Sequence, residues 1–267
     1  MAKVLAISSQ VVRGHVGNSA AVLALQRMGH DVWPLPTVVL SNHPGHAKVA
    51  GMRMAPDAMR GMLQALAGNG WLGEIDAILT GYLPSAEHVA VAAEAIAMVR
   101  AAGGRPLVLA DPVIGDDPEG LYIEESAAEA IRDVLVPLAH IITPNRFELQ
   151  WLSGRTVTGI ASALAAAACL NIVQILATSI PEPDAAELAN ILCGPDGATK
   201  VAVPRLGHVP HGTGDLIAAL FLGHRLNGKP ATVALNLSVA GVRCAIEASA
   251  GADELRLVTA LESMPLK

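Results

Sequence analysis

Short apolar runs alternate with longer Ala-rich or amphipathic segments along most of the chain. The short runs, such as residues 77–80 and 106–110, predict buried strands, and the longer segments have the spacing of helices. The predicted strands are 4–8, 31–35, 37–40, 77–80, 106–110, 141–142, 172–177 and 199–203. The predicted helices are 20–28, 56–67, 86–102, 124–136, 160–170, 183–192, 214–226, 231–248 and 253–261, with a further helix starting near Glu148.

This alternation of strands and helices predicts the fold class. It indicates an α/β protein with a mostly parallel sheet that helices cover on both faces. Neither a linker nor an internal repeat interrupts the pattern, so we predict a single domain over residues 1–267. Polar or glycine residues follow the predicted strands at Ser9, Gly81, Tyr82, Asp111, Thr143, Asn145 and Thr178. Because open α/β sheets bind ligands outside the carboxyl ends of their strands, these residues predict a binding crevice there.

Residues 212–215 read Gly-Thr-Gly-Asp, and an apolar run that predicts a helix follows them. Glycines in this position let backbone amides approach a ligand closely. Amides at a helix N-terminus bind anions such as phosphate, so Gly212, Thr213 and Gly214 are candidates for an anion site with Asp215 beside it. The alternative is that Thr213 or Asp215 is an ordinary N-cap before a core helix.

Two carboxylates belong to motifs that follow predicted strands. Asp111 begins Asp-Pro-Val-Ile-Gly-Asp, and Glu148 ends Thr-Pro-Asn-Arg-Phe-Glu. Hard oxygen ligands of this kind suit Mg²⁺ that is held partly by water and phosphate. For either residue alone, a helix cap or a salt bridge is the favoured interpretation. Other candidate residues also have ordinary interpretations when taken alone. Ser9, Thr143 and Thr178 would be common strand-end hydroxyls, His43 a solvated loop residue and Tyr82 a packing residue.

Composition and charge narrow the class of protein. Hydrophobic residues make up 52% of the chain, which is enough for a sizeable core. The formal net charge of -6, without a basic block, argues against a nucleic-acid partner. Three cysteines without metal-type spacing fit a reducing cytoplasm. The N-terminal apolar run is too short for a signal peptide, and we expect no membrane-spanning segment because no uncharged apolar run is long enough.

Taken together, six motifs resemble the pyridoxal kinase family of the ribokinase-like superfamily. They follow the family's order and spacing across nearly the whole chain, at residues 9–18 (SQVVRGHVGN), 41–43 (SNH), 80–82 (TGY), 111–116 (DPVIGD), 143–148 (TPNRFE) and 212–215 (GTGD). The resemblance implies a three-layer α/β/α sandwich with a mostly parallel central sheet. It also implies transfer of the γ-phosphoryl group of ATP to the 5′-hydroxymethyl group of pyridoxal, pyridoxine or pyridoxamine. Members of the family are typically cytoplasmic homodimers that use Mg²⁺ and are often stimulated by K⁺.

The resemblance also implies roles for individual residues. Asp215 matches the general base, and Gly212, Thr213 and Gly214 match the anion hole. The positions that match the substrate pocket are Ser9, Val16, His43, Pro44, Gly45, Tyr82 and His211, together with Asp215. The positions that match the ATP site are Asp111, Thr143, Asn145, Glu148 and Thr178, together with Gly212 and Gly214. Asp111 and Glu148 are the implied metal-binding residues.

Four residues depart from the family pattern. Pro44 stands where a threonine is usual, His46 replaces a tyrosine, Leu40 an aromatic residue, and His211 an apolar residue. These departures leave the expected reaction type unchanged and bear on vitamer preference and substrate affinity.

Other functions stay open on the sequence. A hydroxymethylpyrimidine kinase would share the fold and the GTGD element, although residues 13–18 and 41–43 favour a pyridoxal kinase. A sugar kinase is disfavoured because the chain has no lid insertion with polar residues. A non-catalytic pyridoxal phosphate carrier or sensor would not need Asp215, Asp111 and Glu148.

Overall fold

A computed structural model of the chain describes residues 1–207, 209–264 and 266. The strands within these residues are β1 (Lys3–Val11), β2 (Asp31–Leu40), β3 (Gly51–Arg53), β4 (Ala77–Thr80), β5 (Leu107–Ala110), β6 (Gly115–Asp116), β7 (Gly120–Leu121), β8 (Ile141–Ile142), β9 (Gln174–Pro181), β10 (Glu187–Gly194) and β11 (Gly197–Pro204). The helices are α1 (Asn18–Arg27), α2 (Pro56–Gly68), α3 (Ala86–Ala101), α4 (Glu125–Ala130), α5 (Arg146–Ser153), α6 (Ile160–Ala167), α7 (Thr213–Leu226), α8 (Ala231–Ala248) and α9 (Leu257–Ser263).

Nine of the described strands form one sheet in the order β11-β10-β9-β8-β5-β4-β1-β2-β3. The strands from β9 to β2 in this order are parallel to one another. β10 and β11 at one end and β3 at the other are antiparallel to their neighbours. β6 and β7 form a separate hairpin. The predicted mostly parallel sheet is therefore confirmed.

Alternate side chains of the sheet pack into two hydrophobic cores, one on each face. In β1, Leu5 and Ile7 pack with α2 to α6, whereas Val4 and Ala6 pack with α1 and α7 to α9. These residues are at most 1% exposed. Burial on both faces explains why β1 reads as a continuous apolar run. The three-layer α/β/α arrangement is confirmed.

The predicted helix over residues 183–192 is wrong, because strand β10 occupies most of this segment. β10 pairs antiparallel with β9 and with β11, and Gly194 pairs with Gly197 at the tight turn between β10 and β11. Ala189 and Ile191 face one core, and Leu192 faces the other. The segment is rich in good helix formers, so its local propensity favours a helix. Pairing on both sides satisfies its backbone hydrogen bonds in the sheet, and this tertiary context decides the outcome.

Strand β2 continues through Pro34 and Pro36, which the sequence suggested as an interruption. Within the described sheet, β3 pairs with β2 only at residues 38–40. The outer edge of β2 is therefore not paired with a strand at the two prolines. Since proline has no N–H to donate, it is tolerated at such an edge.

One helix among the described residues, α8, is long and apolar enough to cross a membrane by length and composition alone. No membrane-spanning segment was expected from the sequence, because α8 carries Arg243 and Glu247, which form an ion pair on its surface. Part of α8 packs in the same core as α7. The core helix of a soluble protein passes the same test, so a single helix of this kind carries little weight.

Candidate active site

The carboxyl ends of β1, β4 and β5 meet at one edge of the sheet, next to the start of α7. A small cavity at this edge is lined by Ser8, Gly17, Ala21, Leu79, Thr80, Gly81, Asp111, Asp215 and Ala218. Residues at the strand ends and Asp215 of the GTGD element thus line the same cavity, in the position where a parallel sheet usually binds its ligand. A larger surface groove, between Trp33, Leu66, Trp71 and Glu74, contains none of the candidate residues.

Two consecutive serines at the end of β1 reach this edge. The amide of Tyr82 donates to Ser8 Oγ at 3.1 Å, and a Cβ at Gly81 would overlap that oxygen. Ser9 lies against Gly17, where a positive φ of 55° and the missing Cβ allow the close approach. The register of β1 against β2 is irregular directly after Ser8, and such irregularities re-aim side chains. Ser9 was predicted from the sequence as a site residue, whereas Ser8 was not.

Helix α7 begins without a side-chain cap. Its N-cap is Gly212, which has a φ of 101°. A Cβ at Gly212 would overlap the carbonyl oxygen of His15, so only glycine fits. The alternative interpretation of Thr213 or Asp215 as the N-cap is therefore wrong. Because the N-cap residue has no side chain to cap the helix, the first backbone amides of α7 are available to an anion.

Asp215 lies in the first turn of α7 and is half-buried. Burial raises the pKa of its carboxyl group to about 6, while hydrogen bonds from the amides of Gly17 and of Asp215 itself act in the opposite direction. A carboxylate with a pKa near the operating pH is suited to accept a proton from a hydroxyl group.

Asp111 follows β5 and is only 6% exposed. Thr143 Oγ1 donates to Asp111 Oδ1 at 2.8 Å. Burial, together with the nearby carboxylates of Glu148 and Asp215, raises the pKa of Asp111 well above its ordinary value. The hydrogen bond from Thr143 offsets part of this rise.

Glu148 and Asn145 form a capping box at the start of α5. Asn145 Oδ1 accepts from the amide of Glu148, and Glu148 Oε2 accepts from the amide of Asn145, both at 2.9 Å. Glu148 Oε1 accepts from the amide of Ile114 at 2.9 Å, and Asn145 Nδ2 donates to the carbonyl of Gly115 at 2.8 Å. The helix-cap interpretation of Glu148 is confirmed, but each carboxylate oxygen can accept a further bond. Burial raises the pKa of Glu148 to about 7.

Tyr122 follows the β6–β7 hairpin and was not predicted from the sequence as a site residue. Its amide donates to the carbonyl of Ile114 at 3.1 Å. Its side chain is 49% exposed, while local burial of the hydroxyl group and the charges of Glu148 and Asp111 raise the pKa of that group. Strands of two residues carry no hydrophobic period that could predict this placement. The one available signal was an aromatic residue shortly after the DPVIGD motif.

The acidic groups fit a divalent cation. The negative charges of Glu148 and Asp215 destabilise the ionised form of Asp111, and that of Asp116 destabilises the ionised form of Glu148. A positive charge among these groups would relieve this repulsion. Within the described residues, no three His, Cys, Asp or Glu side chains form a complete metal site. Asp111 and Glu148 could therefore hold Mg²⁺ only together with other ligands, and water and phosphate oxygens are the usual ones.

The loop after β2 carries His43, Pro44 and Gly45 to the start of α7. The rings of His43 and His211 are stacked, with centroids 3.8 Å apart and 21° between their planes. The amide of Gly45 donates to His43 Nδ1 at 3.0 Å. Pro44 and Gly45 are exposed. The stack brings the predicted substrate loop to the residue before the GTGD element.

The remaining predicted residues lie on segments at the same edge. Val16 is buried, and Tyr82 is half-buried with its carbonyl accepting from Thr37 Oγ1 at 2.8 Å. Thr178, half-buried in β9, bridges to Asn145. Their ligand-binding roles stay predictions.

Comparison with known proteins identifies the family. Residues 53–257 match the family described as phosphomethylpyrimidine kinase. The chain is also 39% identical to pyridoxal kinase PdxY from Leifsonia xyli subsp. xyli, over 97% of this chain and 94% of that protein. The chain belongs to the pyridoxal kinase family. The match to the phosphomethylpyrimidine kinase family does not separate hydroxymethylpyrimidine kinases from pyridoxal kinases, so the similarity to the pyridoxal kinase PdxY decides the assignment.

Solved structures of pyridoxal kinases agree with this assignment. The enzyme from Entamoeba histolytica is 25% identical and superposes with a TM-score of 0.93, covering 100% of this chain and 96% of that one. The enzyme from Leishmania donovani in complex with ADP and pyridoxamine is 32% identical, with a TM-score of 0.91, covering 97% of this chain and 94% of that one. The ribokinase-like fold is confirmed.

Proposed function

We infer that the chain is a pyridoxal kinase, which transfers the γ-phosphoryl group of ATP to the 5′-hydroxymethyl group of pyridoxal and of the related vitamers pyridoxine and pyridoxamine. The observation that carries this inference is Asp215 in the first turn of an uncapped helix, lining one cavity with Asp111. The similar Leishmania donovani structure, with ADP and pyridoxamine, supports both classes of ligand.

The chemistry follows from the residues at the helix start. Asp215 accepts the proton of the attacking hydroxyl group as the general base. The backbone of Gly212, Thr213 and Gly214 stabilises negative charge on the transferred phosphoryl group. Phosphoryl transfer needs this kind of positioning and charge stabilisation more than covalent catalysis.

The acidic cluster and the neighbouring strand ends form the nucleotide side of the site. Asp111 and Glu148 would hold Mg²⁺ directly or through water, and the ion would supply positive charge next to the phosphates. The residues assigned to ATP are Asp111, Thr143, Asn145, Glu148 and Thr178, with Gly212 and Gly214. Stimulation by K⁺ belongs to the same proposal.

The substrate side is formed by the β1 end and the loop after β2. Ser9 and His43 face the polar edge of the pyridine ring, and Val16 and Tyr82 its apolar face. Pro44, Gly45 and His211 complete the pocket next to Asp215. We also propose that residues 1–267 act as one domain of a cytoplasmic homodimer with two-fold symmetry, the commonest oligomer form.

Two alternatives differ in what the protein does to its ligand. A hydroxymethylpyrimidine kinase would use the same Asp215 on another ring, and the match to the phosphomethylpyrimidine kinase family keeps it as the second candidate. A pyridoxal phosphate carrier or sensor would bind without consuming ATP, and the acids at the site are unnecessary for such a protein.

Steady-state assays with ATP and Mg²⁺ test the proposal. The acceptors are pyridoxal, pyridoxine, pyridoxamine and hydroxymethylpyrimidine, with ADP formation and phosphorylated product both measured. We expect the highest kcat/KM for a vitamin B6 vitamer. A highest value for hydroxymethylpyrimidine would contradict the substrate assignment and leave the kinase assignment standing. Tight vitamer binding without ADP formation would show the carrier instead.

A further inference from the structure

Two histidines from distant parts of the chain form one stack at the substrate side of the site. His43 lies on the loop after β2, and His211 directly precedes Gly212, the N-cap of α7. Their rings are nearly parallel, with centroids 3.8 Å apart. The stack therefore ties the substrate loop to the turn that carries the general base.

The surroundings of His43 fix its proton. The amide of Gly45 donates to Nδ1, so this nitrogen is unprotonated and the neutral ring carries its proton on Nε2. A Cβ at Gly45 would lie 3.0 Å from His43 Nδ1 and 3.0 Å from His211 Nε2, so a bulkier residue would crowd both rings. Burial and the neighbouring rings of His211 and His46 lower the pKa of His43 to about 4. At neutral pH, His43 is a neutral donor through Nε2.

The other charged groups near the stack are engaged with one another. His46 Nε2 lies 2.8 Å from Glu254 Oε1, and Arg13 contacts the same oxygen at 3.1 Å. Arg13 also binds Asp253 at 2.9 Å. His211 is thus the residue whose ring lies flat against His43, while His46 is held by the acidic end of this network.

We propose that His211 is a positioning residue, which stacks on His43 and orients the neutral His43 ring. The Nε2–H group of His43 then donates to a hydrogen-bond acceptor on the ring edge of the substrate, a planar heteroaromatic alcohol. The inference rests on the proposed function and deepens it. His211, which stands where the family usually has an apolar residue, would thus favour substrates whose ring edge carries a hydrogen-bond acceptor.

Kinetics of two variants test this role. His211→Leu removes the flat ring, and the loss of an aromatic pair is expected to raise the KM for pyridoxal about three- to tenfold, with a smaller change in kcat. His211→Phe keeps a flat ring without ionisable nitrogens and is expected to recover most of the lost affinity. The matched control is His46→Gln, which changes a histidine on the same loop outside the stack.

A spectroscopic measurement on the free protein decides the proposal without catalysis. Nitrogen-15 spectra of the wild-type protein should show His43 with the proton on Nε2, and His211→Leu should alter this signal and raise the pKa of His43. An unchanged His43 signal would overturn the proposal, as would a KM rise in His211→Leu no larger than that in His46→Gln. If the wild-type protein phosphorylates no vitamer, the proposed function fails, and the spectra still decide whether His211 positions His43.

Discussion

Replacing Gly212 by alanine tests whether the start of α7 is built for close backbone approach. Gly212 has a φ of 101°, and an added Cβ would lie closer than 3.0 Å to the backbone carbonyl of His15. Adopting the left-handed region costs a non-glycine residue about 1–2 kcal/mol, and the overlap must be relieved by moving the helix start. In a protein of this size, about 1 kcal/mol corresponds to a melting-temperature change of roughly 2–4 °C. We expect a fall in melting temperature of at least this size.

The same movement displaces the backbone donors and Asp215 from the reacting groups. Misplacement of catalytic groups by about 1 Å can cost roughly 100-fold in rate, so we expect kcat of Gly212→Ala to fall by about this factor. Gly214 provides the matched control for stability, because a Cβ there meets no protein atom within 4 Å. Gly214→Ala should leave the melting temperature unchanged or raise it, since alanine favours a helix by about 1 kcal/mol over glycine. Wild-type stability and turnover in Gly212→Ala, measured by thermal unfolding and steady-state kinetics, would contradict a close backbone approach at Gly212.

Further predictions concern the metal, a buried histidine and assembly. Glu148→Gln should raise the Mg²⁺ concentration for half-maximal activity by roughly 10- to 100-fold, and full activity in excess chelator would rule the metal site out. His224 is 0% exposed, neither ring nitrogen has a hydrogen-bond partner among the described residues, and burial lowers its pKa. Because the unfolded state then binds the proton more readily, the wild-type protein should lose stability as pH falls below about 6.5 toward the native pKa. His224→Leu should remove this loss and add roughly 1 kcal/mol at neutral pH, and urea unfolding with the same pH dependence for both proteins would contradict it. Light scattering should show a dimer, and a monomer at working concentration would disprove the assembly.

The sheet was predictable where periodicity and burial agree. β1, β4 and β5 are short apolar runs buried on both faces, so composition alone indicates them. β10 was not predictable, because its alanines and leucines suit a helix equally well and only pairing with β9 and β11 selects the strand. The prolines of β2 wrongly indicated a break in the strand for a related reason. They lie where the outer edge of β2 is unpaired, and one sequence does not reveal which strand edges are unpaired.

The candidate site was predictable where a motif follows a strand. Asp111 and Glu148 were found in this way, and the structure adds that Glu148 is also a helix cap. Asp215 was found from the glycines before it. Ser8 and Tyr122 were missed because a strand irregularity and a two-residue hairpin place them. The stack of His43 on His211 depends on the fold and leaves no local pattern.

The decisive measurement is the kcat of Asp215→Asn for pyridoxal phosphorylation at saturating ATP and Mg²⁺. The substitution keeps the shape of the side chain and removes the proton acceptor. If Asp215 is the general base, kcat should fall by roughly 10²–10⁴-fold, while the variant still binds pyridoxal and ATP. Turnover close to that of the wild-type protein would contradict the assignment of Asp215 and, with it, the mechanism proposed for this site.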